Sequence, residues 1–321
     1  MKVAIVGVGG MGGNHFNIYK KMDNVELIAA CDVRIDMLKE KAEGMDINLY
    51  ADFDEMLKCE KPDIIDISTP THLHCEYSLK ALESGANVIC EKPLSLSSEE
   101  SKKVLETAKK CNKLFMVAHV VRFMNAYIYL KGVIDSNKYG KMVRLDMKRI
   151  SGVPTWSYED WMLDKNKSGH VVLDLMIHDI DFMQYVFGMP KDICGAHYEM
   201  NNMSNYAAAT YFYDGFSVSA EAGWYKYDIP FEASYKAIFE NGCVECRDGK
   251  LLDNSQEISL DKADEIEDTG INLSNVDGYD AEIAYFIECV KNNTQPSMVT
   301  PESSADSIKL VEMTWDKMKK I

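Results

Sequence analysis

Directly after the apolar run Val3-Ala4-Ile5-Val6 the chain reads Gly7-Val8-Gly9-Gly10-Met11-Gly12. Glycines at this spacing, between a strand-like run and a helix-like stretch, permit few folds. Gly7 allows a tight turn, Gly9 leaves the backbone open to close approach, and Gly12 lets the helix lie against the strand. The amides of Gly10 and Met11 and the positive end of the helix then face outward, an arrangement that holds a pyrophosphate. Asp32 ends the next strand-like run, where a carboxylate can accept hydrogen bonds from an adenosine ribose. A glycine-rich turn in an unrelated α/β chain is the alternative, but the context and the acidic partner both favour a dinucleotide. Asp32 would repel a 2′-phosphate, which favours NAD over NADP, and Arg34 two residues on offsets part of that repulsion.

From Lys2 to about Val120, short apolar runs alternate with amphipathic stretches. Val3 to Val8, Val25 to Cys31, Asp63 to Ser68, Asn87 to Cys90 and Leu114 to Val117 read as strands. Ser97 with Glu100 forms a capping box opening one intervening helix, and Gly85 closes another. Such alternation with short connections predicts a doubly wound parallel sheet. After Arg122 the pattern changes. A helix is expected near Asn125 to Tyr139, then a strand from Met142 to Arg149 in which Val143, Leu145 and Met147 alternate with charged residues, as in a sheet with one wet face. Later strands are joined by Asp214-Gly215 and Asn241-Gly242, dipeptides expected to supply the positive φ of hairpin turns. The expected architecture is an α/β domain over residues 1–121 and an α+β domain over 122–321 with a mostly antiparallel open sheet. The last helix, Pro301 to Lys320, is a candidate to pack back on the first domain.

Composition narrows function. Among 321 residues, 46% hydrophobic content supports a sizeable core, and 35 basic against 51 acidic residues give a net charge of −16. That balance argues against nucleic acid as a partner, since phosphate-backbone binding needs clustered Lys and Arg. No apolar stretch approaches the roughly 18 residues of a membrane span, and Met1-Lys2 leads straight into the first strand, so a cytoplasmic protein is expected. Nine scattered cysteines read as reduced core thiols. Cys243 and Cys246 form a lone CxxC without a second pair or a spaced histidine, so no metal is expected. The acidic stretch Asp261 to Asp268 reads as a solvated loop.

Chemistry-bearing residues fall at two further places. Glu91-Lys92-Pro93 follows the fourth predicted strand, at the carboxyl edge where such sheets place ligands, and a lysine there can hydrogen-bond a substrate oxygen. Asp174 and His178 are four apart in a helix expected over Leu173 to Phe187, hence on one face. An imidazole that titrates near neutrality suits proton transfer to or from an alcohol, and Asp174 could support it. An exposed polar pair is the plain alternative. Trp156, Tyr158 and Trp161 could wall a sugar-sized pocket or anchor a loop, and Tyr279 is a weaker pocket candidate.

The order of these features resembles the Gfo/Idh/MocA family of NAD(P)-dependent oxidoreductases along essentially the whole chain. The resemblance is carried by the Gly7 to Gly12 loop, Thr69-Pro70 with His74, Glu91-Lys92-Pro93, Arg122-Phe123, and Ser168-Gly169 leading into Asp174, His178 and Asp179. It implies a Rossmann domain joined to a sheet domain, with dimers or tetramers formed through that sheet. It also implies Lys92 between substrate hydroxyl and nicotinamide, His178 as general acid/base and Asp174 as their supporting carboxylate. Thr69, Pro70, His74, Glu91 and Lys92 would lie near the cofactor, and Arg122, Trp156, Trp161 and Tyr279 near the substrate. The expected activity is hydride transfer between NAD and a secondary alcohol of a polyol, cyclitol, sugar or sugar derivative. An NAD-dependent glycosidase of the same fold and a non-catalytic nucleotide-sensing regulator are the alternatives. His170 stands where many relatives have a second glycine, which leaves substrate identity open.

Overall fold

A computed structural model of the chain describes residues 1–200, 203–227, 229–259 and 278–321. The acidic stretch Asp261 to Asp268 lies outside them. The chain forms two compact units. One comprises Met1–Ala118, Ser157–Trp161 and Glu282–Ala305, the other His119–Trp156, Met162–Ala281 and Asp306–Ile321.

The first unit runs β1 (Lys2–Val6), α1 (Gly10–Tyr19), β2 (Glu26–Cys31), α2 (Ile35–Lys41), β3 (Asn48–Tyr50), α3 (Phe53–Cys59), β4 (Ile64–Ile67), α4 (Thr71–Glu83), β5 (Asn87–Glu91), α5 (Ser98–Cys111) and β6 (Phe115–Ala118). Its strands lie in the order β3-β2-β1-β4-β5-β6, and every neighbouring pair is parallel. Each connection is therefore a crossover carrying a helix. Strand order reverses between β1 and β4, so the loops after those two strands flank the switch point where such sheets bind ligands. The interior strands are apolar because both of their faces are covered: Ile5, Ile64, Ile65, Ile67 and Val88 are fully buried or nearly so. The sequence reading found every strand here except β3, a three-residue edge strand too short and too exposed to register as an apolar run. At α5, Ser97 Oγ accepts from the Glu100 amide at 3.3 Å. Glu100 reaches back to the Leu96 amide at 3.0 Å, one residue earlier than the standard capping box would have it.

The second unit contains α6 (Asn125–Asp135), β7 (Met142–Gly152), α7 (Lys165–Ser168), a π turn (Val172–Met176), α8 (Ile177–Phe187), β8 (Asp192–Met200), β9 (Met203–Phe212), β10 (Ser217–Tyr225), β11 (Glu232–Phe239), β12 (Gly242–Arg247), β13 (Lys250–Asp253) and β14 (Gln256–Ile258). Two helices follow in the chain, α9 (Gly278–Asn292), which belongs to the first unit from Glu282 on, and α10 (Pro301–Lys317), which belongs to the second from Asp306 on, then β15 (Met318–Lys320). The nine-stranded sheet is ordered β14-β13-β12-β11-β7-β10-β9-β8-β15. It is mostly antiparallel, with β7·β10 and β15·β8 as its parallel pairs. On β7, Leu145 and Met147 are buried as the alternation predicts, whereas Val143 at the strand's start is 49% exposed. Arg149 continues the buried row, its charge met by Asp179 at 2.9 Å and the Tyr127 hydroxyl at 3.1 Å. Among the described residues no helix is long and apolar enough to cross a membrane.

The two hairpin dipeptides behave differently. Gly215 has φ +84° between β9 and β10, as expected. Neither Asn241 nor Gly242 has a positive φ. A side chain at Gly242 would instead place its Cβ 2.5 Å from Tyr139 Cγ, so this glycine serves close packing rather than backbone conformation. Cys243 and Cys246 are three apart on β12 and so point to opposite faces, which separates the CxxC thiols.

Candidate active site

In the first unit the sequence's candidates gather along the carboxyl edge of the parallel sheet. Gly7 turns with φ +83°, donating its N–H to Cys31 O at 2.8 Å. A Cβ on Gly12 would stand 1.8 Å from Gly7 O, so no larger residue allows α1 to start where it does. Gly9 is the N-cap of α1 and brings no side-chain cap, which leaves the first-turn amides to an outside acceptor. Gly10 and Met11 open the helix in exposed positions. Small residues, uncapped amides and a nearby carboxylate fit a bound dinucleotide.

Asp32 is buried at the end of β2. It accepts from the Val8 amide at 2.8 Å, the Arg34 amide at 2.9 Å and the Arg34 guanidinium at 3.1 Å and 3.3 Å. Burial alone would raise its pKa, but the Arg34 and Val8 hydrogen bonds outweigh that and hold it below the ordinary carboxylate value. The Arg34 guanidinium in turn lies 4.8 Å from the centre of the Tyr158 ring. Tyr158 stacks at the Asp32-Arg34 pair, Trp156 is 73% exposed, and Trp161 is half-buried.

Pro70 is the N-cap of α4, directly after Thr69 in the loop that follows β4. His74 on that helix approaches Thr69 O through Nε2 and Pro93 O through Nδ1, each at 2.7 Å. Burial pushes this imidazole below its ordinary value, against the pull of the two carbonyls. It pins the loop after β4 to the segment after β5. There Glu91 is buried, Lys92 is half-buried, and the Lys92 amide donates to Glu91 Oε2 at 3.0 Å. His15, which belongs to no motif in the sequence, faces Glu91 from α1. Its signal was available in Asp66, a lone carboxylate in the apolar strand Ile64-Ile65-Asp66-Ile67, which requires a buried partner.

In the second unit Asp174 is buried within the π turn and His178 is half-buried in the first turn of α8. The expected single helix from Leu173 is thus a π turn followed by an α-helix, a local widening found often at functional sites. Before it, Ser168 Oγ donates to Met162 O at 2.9 Å, and Gly169 takes φ +77°. His170 stacks on Trp315 with ring centres 4.0 Å apart. Arg122 is 2% exposed and clamps Asp181 with both arms, Nε to Oδ2 at 2.8 Å and Nη2 to Oδ1 at 2.6 Å. Ser307 Oγ donates to the same carboxylate at 2.9 Å, and His119 Nε2 lies 3.3 Å from it. Where a substrate contact was expected at Arg122, the structure has a buried bidentate ion pair. Tyr279 is half-buried at the start of α9.

Two predictions arise here. Calorimetric titration should find NAD bound more tightly than NADP, and Asp32→Asn should narrow that gap by removing the charge that opposes a 2′-phosphate. Equal binding by the wild type would mean that Arg34 dominates.

A family model described as an oxidoreductase family with an NAD-binding Rossmann fold matches residues 1–119, and the GFO/IDH/MocA C-terminal domain model matches residues 127–245. A D-glucoside 3-dehydrogenase of Escherichia coli K12 is 29% identical over 194 residues, 59% of this chain and 55% of that protein. A 2,7-anhydro-N-acetylneuraminate hydratase of Mediterraneibacter gnavus is 29% identical over 191 residues, 59% of this chain and 50% of that protein. The chain thus spans about half the length of these curated relatives. A scyllo-inositol dehydrogenase from Lactobacillus casei, crystallised with NAD(H) and scyllo-inositol, shares the fold with a TM-score of 0.81 at 21% identity, over 99% of this chain and 96% of that one. With both family models matched in order along it, the chain belongs to the Gfo/Idh/MocA oxidoreductase family.

Proposed function

We propose that this chain is an NAD-dependent dehydrogenase acting on a secondary alcohol of a polyol, cyclitol, sugar or sugar derivative. The observation that carries the reading is the gathering of the glycine loop, Asp32 and Lys92 along one edge of one sheet, where nucleotide and reacting carbon would lie side by side. The nicotinamide supplies the hydride acceptor when bound. Gly7 to Gly12 would hold its pyrophosphate through backbone amides, and Asp32 would receive the adenosine ribose. Lys92 would hydrogen-bond the substrate oxygen. In the oxidising direction His178 would take the hydroxyl proton while Lys92 keeps hold of the same oxygen. Asp174 supports the basic groups. Arg122, by its clamp on Asp181, acts in this reading as a positioning group, and Trp156, Trp161 and Tyr279 remain the proposed substrate contacts.

A redox-assisted reaction without net oxidation, of which an NAD-dependent glycosidase is one form, is the second reading. The hydratase among the relatives favours it, since its name denotes gain or loss of water. A nucleotide-sensing regulator has no physical need for Lys92, Asp174 and His178 together. Incubation with NAD and a panel of polyols, aldoses and glycosides, followed by absorbance of reduced nicotinamide and by product chromatography, separates the three. Net reduced nicotinamide supports the dehydrogenase, cleavage or dehydration without it supports the second reading, and no turnover supports the regulator.

The assembly proposed is a homodimer or homotetramer. The outer sheet face carries Arg144, Lys148, Glu221 and Lys236 among small residues such as Ala196 and Ala208. That is a mixed-charge surface, as the alternation with charged residues implied, and it suits self-complementary pairing about a two-fold axis. Light scattering should give a multiple of 36.3 kDa; a monomer at micromolar concentration would refute it. A cytoplasmic location accords with nine unpaired cysteines.

A further inference from the structure

Beneath the glycine loop lies a chain of buried charged groups that the proposed chemistry does not use. His15 is fully buried on α1, with Nδ1 2.9 Å from Asp66 Oδ2 and Nε2 3.1 Å from Glu91 Oε1. Asp66 also accepts from the Tyr19 hydroxyl and from Ser68 Oγ, each at 2.7 Å. Glu91 reaches His15 with one oxygen and accepts the Lys92 amide with the other. Glu282 of α9 adds a third buried carboxylate, and the donor atoms of His15, Glu91 and Glu282 lie within 4.8 Å of one another.

Two arrangements could balance this charge. A divalent cation would need the Nε2 lone pair, and with it a neutral ring. The alternative is a ring that is itself the cation, hydrogen-bonded to Asp66 through Nδ1 and ion-paired with Glu91 through Nε2. We adopt the second, because Nδ1 is already taken by Asp66 and Nε2, without a hydrogen bond of its own, stands at ion-pair distance from Glu91 Oε1. Burial alone would strip the proton from His15, but Asp66 and Glu91 hold it well above its ordinary value.

We infer that the Asp66-His15-Glu91 chain is a positioning device that ties the helix carrying the glycine loop to the peptide of Lys92. Asp66, with its three donors, fixes the ring. The ring fixes Glu91 Oε1, and Glu91 Oε2 fixes the Lys92 amide, so that the lysine's backbone is registered against α1. Glu91, expected from the family resemblance among the cofactor residues, is then a positioning residue instead, since its two oxygens face His15 and the Lys92 amide, and the nucleotide is held by Gly7 to Gly12 and Asp32 without it. The inference rests on the reading of Lys92 as the group that meets the substrate oxygen.

The test uses the full-length protein and the variants Glu91→Gln and Glu91→Ala. Displacing a reacting group by about 1 Å costs about 10²-fold, so Glu91→Ala should lose about that much in kcat with NAD affinity unchanged. Glu91→Gln keeps an acceptor for the Lys92 amide and should recover part of the loss. Nitrogen-15 spectra of histidine-labelled protein at mildly alkaline pH should show both His15 nitrogens protonated in the wild type and one proton lost in Glu91→Gln. Should the wild type turn over no alcohol, the reading of Lys92 fails, and the His15 protonation state and the Lys92 amide resonance still decide the linkage. Both move in Glu91→Gln if the chain is coupled. The inference is overturned if Glu91→Ala keeps wild-type kcat per folded molecule and only melts earlier, or if it loses NAD affinity in proportion. It is equally overturned by a neutral His15 with a stoichiometric divalent metal retained through purification.

Discussion

Lys92→Ala should turn over an identified substrate about 10²- to 10⁴-fold more slowly than the wild type, the range typical for loss of a positioned group in proton transfer, and should still bind NAD. The two effects separate because the nucleotide's contacts belong to other residues. Gly7 and Gly12 shape the loop through a positive φ and a near-contact with Gly7 O, and Asp32 is held by Val8 and Arg34. His178→Ala should fall in the same range, and its pH profile should lose the limb that reports the imidazole. Stopped-flow turnover and calorimetric NAD titration of both variants check this. Near wild-type turnover in both would move the regulator reading ahead.

Asp181→Asn should destabilise the protein by about 3 to 5 kcal/mol, the cost typical of breaking a buried ion pair by neutralising one partner. Urea unfolding midpoints measure it. Burial alone would raise the Asp181 pKa, but Arg122 and His119 hold it below the ordinary carboxylate value. A carboxylate depressed in the folded state contributes stability above its unfolded pKa of about 3.9 and loses it as pH falls through the folded pKa. The wild type should therefore lose more stability on acidification through that window than Asp181→Asn does. Parallel acid profiles would contradict the pair's assigned role.

What the sequence made legible followed from local rules. The glycine loop, Asp32, Thr69-Pro70 and Lys92 all sit at strand ends, and a parallel sheet must place its strand ends along one edge. Buried pairing was not legible, because partners far apart in sequence leave no periodic signal. Arg122 meets Asp181, 59 positions away, and His15 meets Asp66, 51 away. Arg149 was hidden among the wet-face charges of β7 until Asp179 and Tyr127 showed it facing inward. Asn241-Gly242 does mark the tight hairpin between β11 and β12, yet neither residue takes a positive φ, and the glycine answers to the Tyr139 ring, a contact that turn chemistry does not encode. The π turn at Asp174 was equally invisible, since one widened turn barely disturbs a helical apolar stripe.

In the proposed reaction a hydride moves between an alcohol carbon and NAD with the help of Lys92. The most direct measurement is single-turnover absorbance of reduced nicotinamide when wild-type protein and Lys92→Ala, each saturated with NAD, meet the polyol and sugar panel. The wild type should give a burst of reduced nicotinamide on at least one secondary alcohol, nearly lost in Lys92→Ala at equal nucleotide occupancy. No reduced nicotinamide from the wild type with any alcohol, or equal bursts from both proteins, would contradict it.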